Sequence, residues 1–191
     1  IGAGAMENGT TGSGNVAVGN IALLSNEGDN NVAVGAFSMI NNIDGIQNTA
    51  VGASALGDGI TGSFNTAVGL NALVTNEGDQ NTGLGYGALI ENSTGTQNTA
   101  VGLFASVRNT VGNNNSTLGR SALFQNTTGN GNTAIGHRAG ENVIAGDNNI
   151  FLGAGTFSGT DVSTTVTVSN QLNIGNSIYG DLDTDLYGFG V

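Results

Sequence analysis

A five-residue unit recurs down the chain: Asn, a small or β-branched residue, a small residue, an aliphatic residue and Gly. It opens at Asn15, Asn31, Asn48, Asn65, Asn81, Asn98, Asn115, Asn132 and Asn149, at intervals of 16, 17, 17, 16, 17, 17, 17 and 17 residues. Two variable residues follow the glycine, and then a small-plus-apolar pair such as Ala22-Leu23, Ser38-Met39, Ala55-Leu56, Ala72-Leu73, Ala88-Leu89 or Ala122-Leu123. A turn containing Gly28, Gly45, Gly62, Gly78, Gly95, Gly112, Gly129 or Gly146 completes each copy, and the one-residue length change is expected between that glycine and the next asparagine. The opening "IGAGAM" is a truncated copy, so the array is expected to continue upstream in the parent protein.

Seventeen residues are too few for a helical repeat, and each interior glycine would cost a helix roughly 1 kcal/mol. The pattern therefore predicts an all-β chain, a parallel β-solenoid with one copy per coil over residues 1–155. Asn65 to Gly69 reads as one short strand and Asn71 to Val74 as a second. Coils stacked at the strand spacing of about 4.8 Å give a rod roughly 45 Å long.

Strand side chains alternate between faces, so positions three and four of the unit face opposite ways. Position four is aliphatic throughout: Val18, Val34, Val51, Val68, Leu84, Val101, Leu118, Ile135 and Leu152. These residues are assigned to the coil core. Position three is small at Ala17, Ala33, Ala50, Ala67, Gly83, Ala100 and Ala134, and is assigned to a seam where a second chain approaches closely around a threefold or twofold axis. On that reading Ala67→Leu would force chains apart, and Asn71→Leu would change little.

Composition narrows the function. Glycine supplies 34 of 191 residues, proline and cysteine are absent, and only 9% of the chain is charged. Leu, Ile, Val and Phe make up about a quarter of it, enough for a folded chain. Three basic residues stand against 14 acidic ones, a net charge of −11 without a single lysine, which speaks against nucleic acid as a partner. No stretch is apolar enough to span a membrane, and the N-terminus has no signal-peptide pattern.

The nine unit-opening asparagines, Asn15, Asn31, Asn48, Asn65, Asn81, Asn98, Asn115, Asn132 and Asn149, are expected to stack into a hydrogen-bonded ladder, as amides do in other stacked β structures. A ligand-binding stripe is the competing reading. Chemistry-bearing candidates are few. His137 is the single histidine and occupies a variable repeat position, so no catalytic triad and no enzyme is expected. The glycine groups at Gly83-Gly85-Gly87 and Gly153-Gly155-Gly159 fall where the repeat already demands glycine and no helix follows, so they read as turns rather than phosphate cradles. Acidic turns at Asn26 to Asn30 and Asn76 to Gln80, with Asp147 and the terminal aspartates, offer oxygens to calcium but do not match the calcium β-roll repeat. No cofactor is expected, with calcium the one metal to consider. Arg108, Arg120 and Arg138 are expected to pair with carboxylates of a neighbouring chain.

The copies "NVAVG" (Asn15 to Gly19), "NTAVG" (Asn48 to Gly52) and "NTAIG" (Asn132 to Gly136) resemble the head repeats of trimeric autotransporter adhesins, and more strongly the "NTAVG" arrays of phage tail-fibre-like proteins. The segment Ser169 to Leu182 resembles the part of such fibres that precedes a self-cleaving chaperone domain. The resemblance implies a homotrimeric left-handed β-roll, secreted, cell-surface or virion-borne, acting as a fibre or adhesive stalk with itself as main partner and a host receptor or glycan as a further one. A ligand-binding module for ice, glycan or calcium is the alternative. Residues 156–191 break the period and read as a cap, with a strand at Ser163 to Val168 and the aspartates Asp181, Asp183 and Asp185 crowding the end.

Overall fold

Every copy of the unit contributes a three-residue strand, and the strands stack in sequence order. The computed structural model describes residues 1–8, 11–59, 61–155 and 169–175, and the backbone of 178–181. The strands are β1 (Val16–Val18), β2 (Val32–Val34), β3 (Thr49–Val51), β4 (Thr66–Val68), β5 (Thr82–Leu84), β6 (Thr99–Val101), β7 (Ser116–Leu118), β8 (Thr133–Ile135), β9 (Ile150–Leu152), β10 (Gln171–Ile174) and β11 (Ile178–Asp181). β1 to β10 form one parallel sheet without a register slip, Ala50 facing Ala67 and Ala67 facing Gly83, while β11 folds back antiparallel on β10. The chain is all-β, a parallel β-solenoid with no helix among the described residues. Most of the segment after the array, including Ser163 to Val168, lies outside the described residues; β10 nonetheless adds a further parallel rung after the 22-residue interval, and β11 covers its edge.

Inside and outside are the reverse of the sequence expectation. Ala33, Ala50, Ala67, Ala100 and Ala134 are completely buried within the single chain, as is Phe151, and Gly83 shares their side of the sheet. Position four looks outward: Val18 and Val51 are 38% exposed, Leu84 and Ile135 44% and Leu118 50%. Val34, Val68, Val101 and Leu152 on the same face are half-buried. The assigned core is thus the outer face, and the assigned inter-chain seam, from Ala17 to Ala134, is the coil interior. The physical reason is width. A coil of 16 or 17 residues encloses only a slot, and an alanine from the strand meeting a leucine from across the coil fills it.

That leucine column, Leu23, Met39, Leu56, Leu73, Leu89 and Leu123, is buried, together with Ala22, Ser38, Ala55, Ala72, Ala88, Ala105, Ala122 and Ala139. The volumes compensate. Where Thr117 replaces the strand alanine, Ser106 replaces the leucine, and their hydroxyls hydrogen-bond at 3.2 Å. Where Phe151 enters, Gly140 faces it, and a Cβ on that glycine would lie 2.6 Å from the ring. Close packing in so thin a core leaves neither side free to change alone.

The second expected strand, Asn71 to Val74, is instead a turn. Asn71 and Leu73 have φ of +58° and +53°, and the equivalent pairs Ile21/Leu23, Phe37/Met39 and Ser54/Leu56 repeat the conformation. Left-handed residues bend the chain sharply enough to close the coil, at a conformational cost of about 1 kcal/mol or more each. Backbone pairing between coils continues through these turns, as in Leu73 N–H to Ala88 O and Asn71 N–H to Ala53 O at 3.0 and 3.1 Å.

Two glycine columns permit the close stacking. Gly2, Gly19, Gly35, Gly52, Gly69, Gly85, Gly102, Gly119, Gly136 and Gly153 share φ between +115° and +143°. A Cβ on any of the first nine would fall 2.2–2.6 Å from the carbonyl oxygen of the next glycine in the column. In the turn column from Gly12 to Gly129 the same clash would occur at 2.0–2.7 Å.

Ala67→Leu is expected to destabilise the single chain by about 1–3 kcal/mol, because it overpacks a slot. Thermal melts should show the same loss at every protein concentration; a concentration-dependent loss would return Ala67 to a contact between chains. Phe151→Ala is expected to cost about 3–5 kcal/mol, and adding Gly140→Leu should recover part of it. The melting temperatures of the two single variants and the double variant decide whether the pair is coupled.

Candidate functional site: an internal asparagine ladder and an outward apolar face

The asparagine that opens each unit sits where the chain leaves the glycine turn for the strand, and from Asn31 to Asn149 these side chains are buried. The backbone N–H of each donates to the side-chain oxygen of the one before: Asn31 to Asn15, Asn48 to Asn31, and so on through Asn65, Asn81, Asn98, Asn115, Asn132 and Asn149, at 2.7–3.0 Å. Gln171 N–H closes the series on Asn149 Oδ1 at 2.9 Å, which brings β10 into the same stack. Each Nδ2 group from Asn15 to Asn132 donates to the carbonyl of the turn glycine that follows it, from Gly28 to Gly146, at 2.7–2.9 Å. One amide therefore ties a strand start to the strand above it and to a turn. The expected ladder is present, but it is knitted through backbone groups rather than through amide-to-amide contacts alone.

A second, unforeseen ladder runs beside the first. Asn42 Nδ2 donates to Asn26 Oδ1 at 2.6 Å, and Asn92, Asn109 and Asn126 donate in turn to Asn76, Asn92 and Asn109 at 2.5–3.0 Å. Each of these asparagines also donates to its own coil's turn glycine, two residues on at Gly28 and Gly78 but three residues on at Gly45, Gly95, Gly112 and Gly129. The one-residue length change therefore lies before the turn glycine, not after it as expected. The sequence signal for this ladder was present in an asparagine two or three residues before each such glycine. Gly59 and Val143 interrupt it, and above Asn126, where the Val143 side chain carries no amide donor, Asn126 Oδ1 is buried without a partner.

The other candidates lie at the surface. His137 is exposed, and Arg138 pairs with Glu141 three residues away. Arg108 donates to Gln125 at 2.8 Å and lies 5.8 Å from the Phe124 ring centre. Arg108 and Arg138 thus find partners within their own chain, whatever a neighbouring chain would offer. Asp29 is held below the usual carboxylate range because it accepts from the Ser13 backbone N–H and hydroxyl. Among the described residues no three His, Asp or Glu side chains come together as metal ligands. A surface groove of about 320 Å³ opens beside Phe37 and Asp58 where Gly57 takes the column position held by Ile40 and Val74.

The outer sheet face is chemically uniform along the array. Position four lays a row of valine, leucine and isoleucine along it, and position two lays a parallel row of Val16, Val32, Thr49, Thr66, Thr82, Thr99, Ser116, Thr133 and Ile150.

Asn98→Ala is expected to leave the buried Asn115 N–H without its acceptor, at about 1–3 kcal/mol, while the Gly112 carbonyl keeps Asn109 Nδ2 as a donor. Asn114→Ala, at an exposed neighbouring position, supplies the comparison in thermal or urea unfolding. Comparison of the chain with protein families, with curated proteins and with solved structures finds no match.

Proposed function

We propose that this chain is a non-enzymatic structural segment of an extracellular, cell-surface or virion fibre or adhesive stalk, in which copies associate through the outer sheet face. The observation that carries the reading is the row Val18, Val34, Val51, Val68, Leu84, Val101, Leu118, Ile135 and Leu152, aliphatic at every rung and exposed or half-buried in the single chain. All-parallel sheets are almost always covered on both faces, and a continuous exposed apolar row of this kind marks a contact surface. The rungs repeat in register, so a second copy aligned along the rod meets the same chemistry at every level. Strands of three residues give a face only about 10 Å wide. Narrow faces of this kind suit closure of three copies around a common axis, and the resemblance of the repeats to trimeric fibres supports the same number. Closed symmetry would hide the apolar rows and leave the turns and the variable columns facing out.

The regular Thr49, Thr66, Thr82 and Thr99 hydroxyls beside the aliphatic row favour one second reading: a flat face that binds an ordered lattice such as ice. That reading needs the face open in solution.

The variant carrying Val68→Asp, Leu84→Asp and Val101→Asp is expected to remain a folded β monomer, because these side chains are outside the coil, while the wild type assembles. Light scattering read with circular dichroism measures both. A wild-type protein that is monomeric would overturn the assembly, and appreciable thermal hysteresis at micromolar protein would establish the lattice reading instead.

A further inference from the structure

Charge is distributed along the chain in blocks. Residues 1–91 carry eight acidic side chains and no basic one; residues 92–140 carry all three arginines and the single histidine with no acidic residue; residues 141–191 carry six acidic residues and no basic one. A short cationic stretch thus interrupts a rod of net charge −11.

Within that stretch Arg120 and His137 fall on one outward column. The residue just after the glycine column is Asn20, Ala36 and Ala53 in early coils, and then Leu70, Tyr86, Leu103, Arg120 and His137 on successive rungs. The backbone contacts Phe104 N–H to Tyr86 O, Ser121 N–H to Leu103 O and Arg138 N–H to Arg120 O, at 2.9–3.0 Å, hold these rungs in register. Tyr86 and Leu103 are 43% and 40% exposed, and the Tyr86 ring meets Phe104 edge-on with centres 5.0 Å apart. Arg138 and Arg108 are engaged by Glu141 and by Gln125 with Phe124. The side chains of Arg120 and His137 make no hydrogen bond or ion pair with any described residue, and both are exposed.

We propose that the strip formed by Tyr86, Leu103, Arg120 and His137, with Phe104 beside it, binds the acidic end of a glycan, a short saccharide terminating in a carboxylated sugar. An unengaged guanidinium offers the planar fork that matches a carboxylate. Aromatic and apolar side chains one and two rungs away give a surface for the C–H faces of sugar rings, and the Tyr86 hydroxyl and His137 imidazole reach hydroxyl groups. Four rungs span about 14 Å, the length of two or three sugar rings. The acidic blocks on either side set the ligand's length, since a long polyanion such as nucleic acid would extend into like charge. The inference rests on the adhesive-stalk reading for its purpose, but its column stands two residues beyond the aliphatic row, past the glycine column, and its variants change different side chains, so the two are tested separately.

The experiment is a titration of the intact chain with 3′-sialyllactose, lactose and a ten-nucleotide oligothymidine, followed by ligand-observed NMR and calorimetry. Binding of sialyllactose with none of lactose is expected. Arg120→Ala should weaken it about tenfold or more, Arg120→Lys by less because the charge remains without the fork, and Tyr86→Ala should also weaken it. Phe37→Ala, on the column that carries Phe104 but several coils away, should leave it unchanged. Circular dichroism confirms that each variant is folded, and light scattering reports assembly independently, so a failure of the stalk reading and a failure of this one are distinguishable. Equal binding of lactose, no effect of Arg120→Ala, comparable binding of the oligothymidine, or a strip that serves only salt-sensitive self-association lost in Arg120→Glu would each overturn the proposal.

Discussion

Everything in this molecule follows from one distance. A parallel stack holds equivalent residues of successive coils at the strand spacing of about 4.8 Å. Each position of the repeat is therefore a column, and a residue is admissible only if copies of it can sit at that separation. Glycine is required where a carbonyl oxygen of the next coil occupies the place a Cβ would take, as between Gly69 and Gly85. Asparagine is favoured where a buried backbone N–H in one coil and a turn carbonyl both need a partner, since a single amide supplies an acceptor and a donor in fixed relation. Polar groups buried in such numbers would be costly in an ordinary core. Here the stack pairs nearly all of them, and they hold the register.

The period, the class of fold and the first asparagine ladder were legible in the sequence because they depend on recurrence. The direction in which the strand faces was not. Alternation states that Ala67 and Val68 point opposite ways but not which of them points in, and the assumption that the larger residue lies inside fails in a coil too narrow to admit one from each side. The pairs Thr117 with Ser106 and Phe151 with Gly140 carried the missing information, since sizes compensate only between groups that touch. Left-handed conformation at non-glycine positions such as Ile21 and Leu23 was also hidden, because residues with a Cβ ordinarily avoid positive φ and the curvature of the coil overrides that preference.

Variation in the outward columns has a freedom that the interior lacks. Asn20, Ala36, Leu70, Tyr86, Arg120 and His137 all occupy one column, while the glycine immediately before each never changes. An invariant scaffold thus presents a variable surface, the arrangement by which repeat proteins acquire binding specificity without altering their fold. The charge blocks lie in these same free positions and in the turns, which is why they can be segregated along the rod at no cost to the stack.

The polarity of the asparagine contacts gives the rod a mechanical direction. Every Oδ1 of the first ladder accepts from the coil that follows, and every paired Nδ2 reaches forward to the next turn glycine. A tensile load that lifts a coil from the C-terminal side must break both bonds of the amide below it together with the strand contacts, whereas an internal coil is gripped from both directions. Resistance is uneven as well. At Gly59 and Val143 the second ladder contributes no rung, and the unpaired Asn126 oxygen marks the upper gap. Under extension the stack is expected to part first at these two levels, with the coils between them held by both ladders.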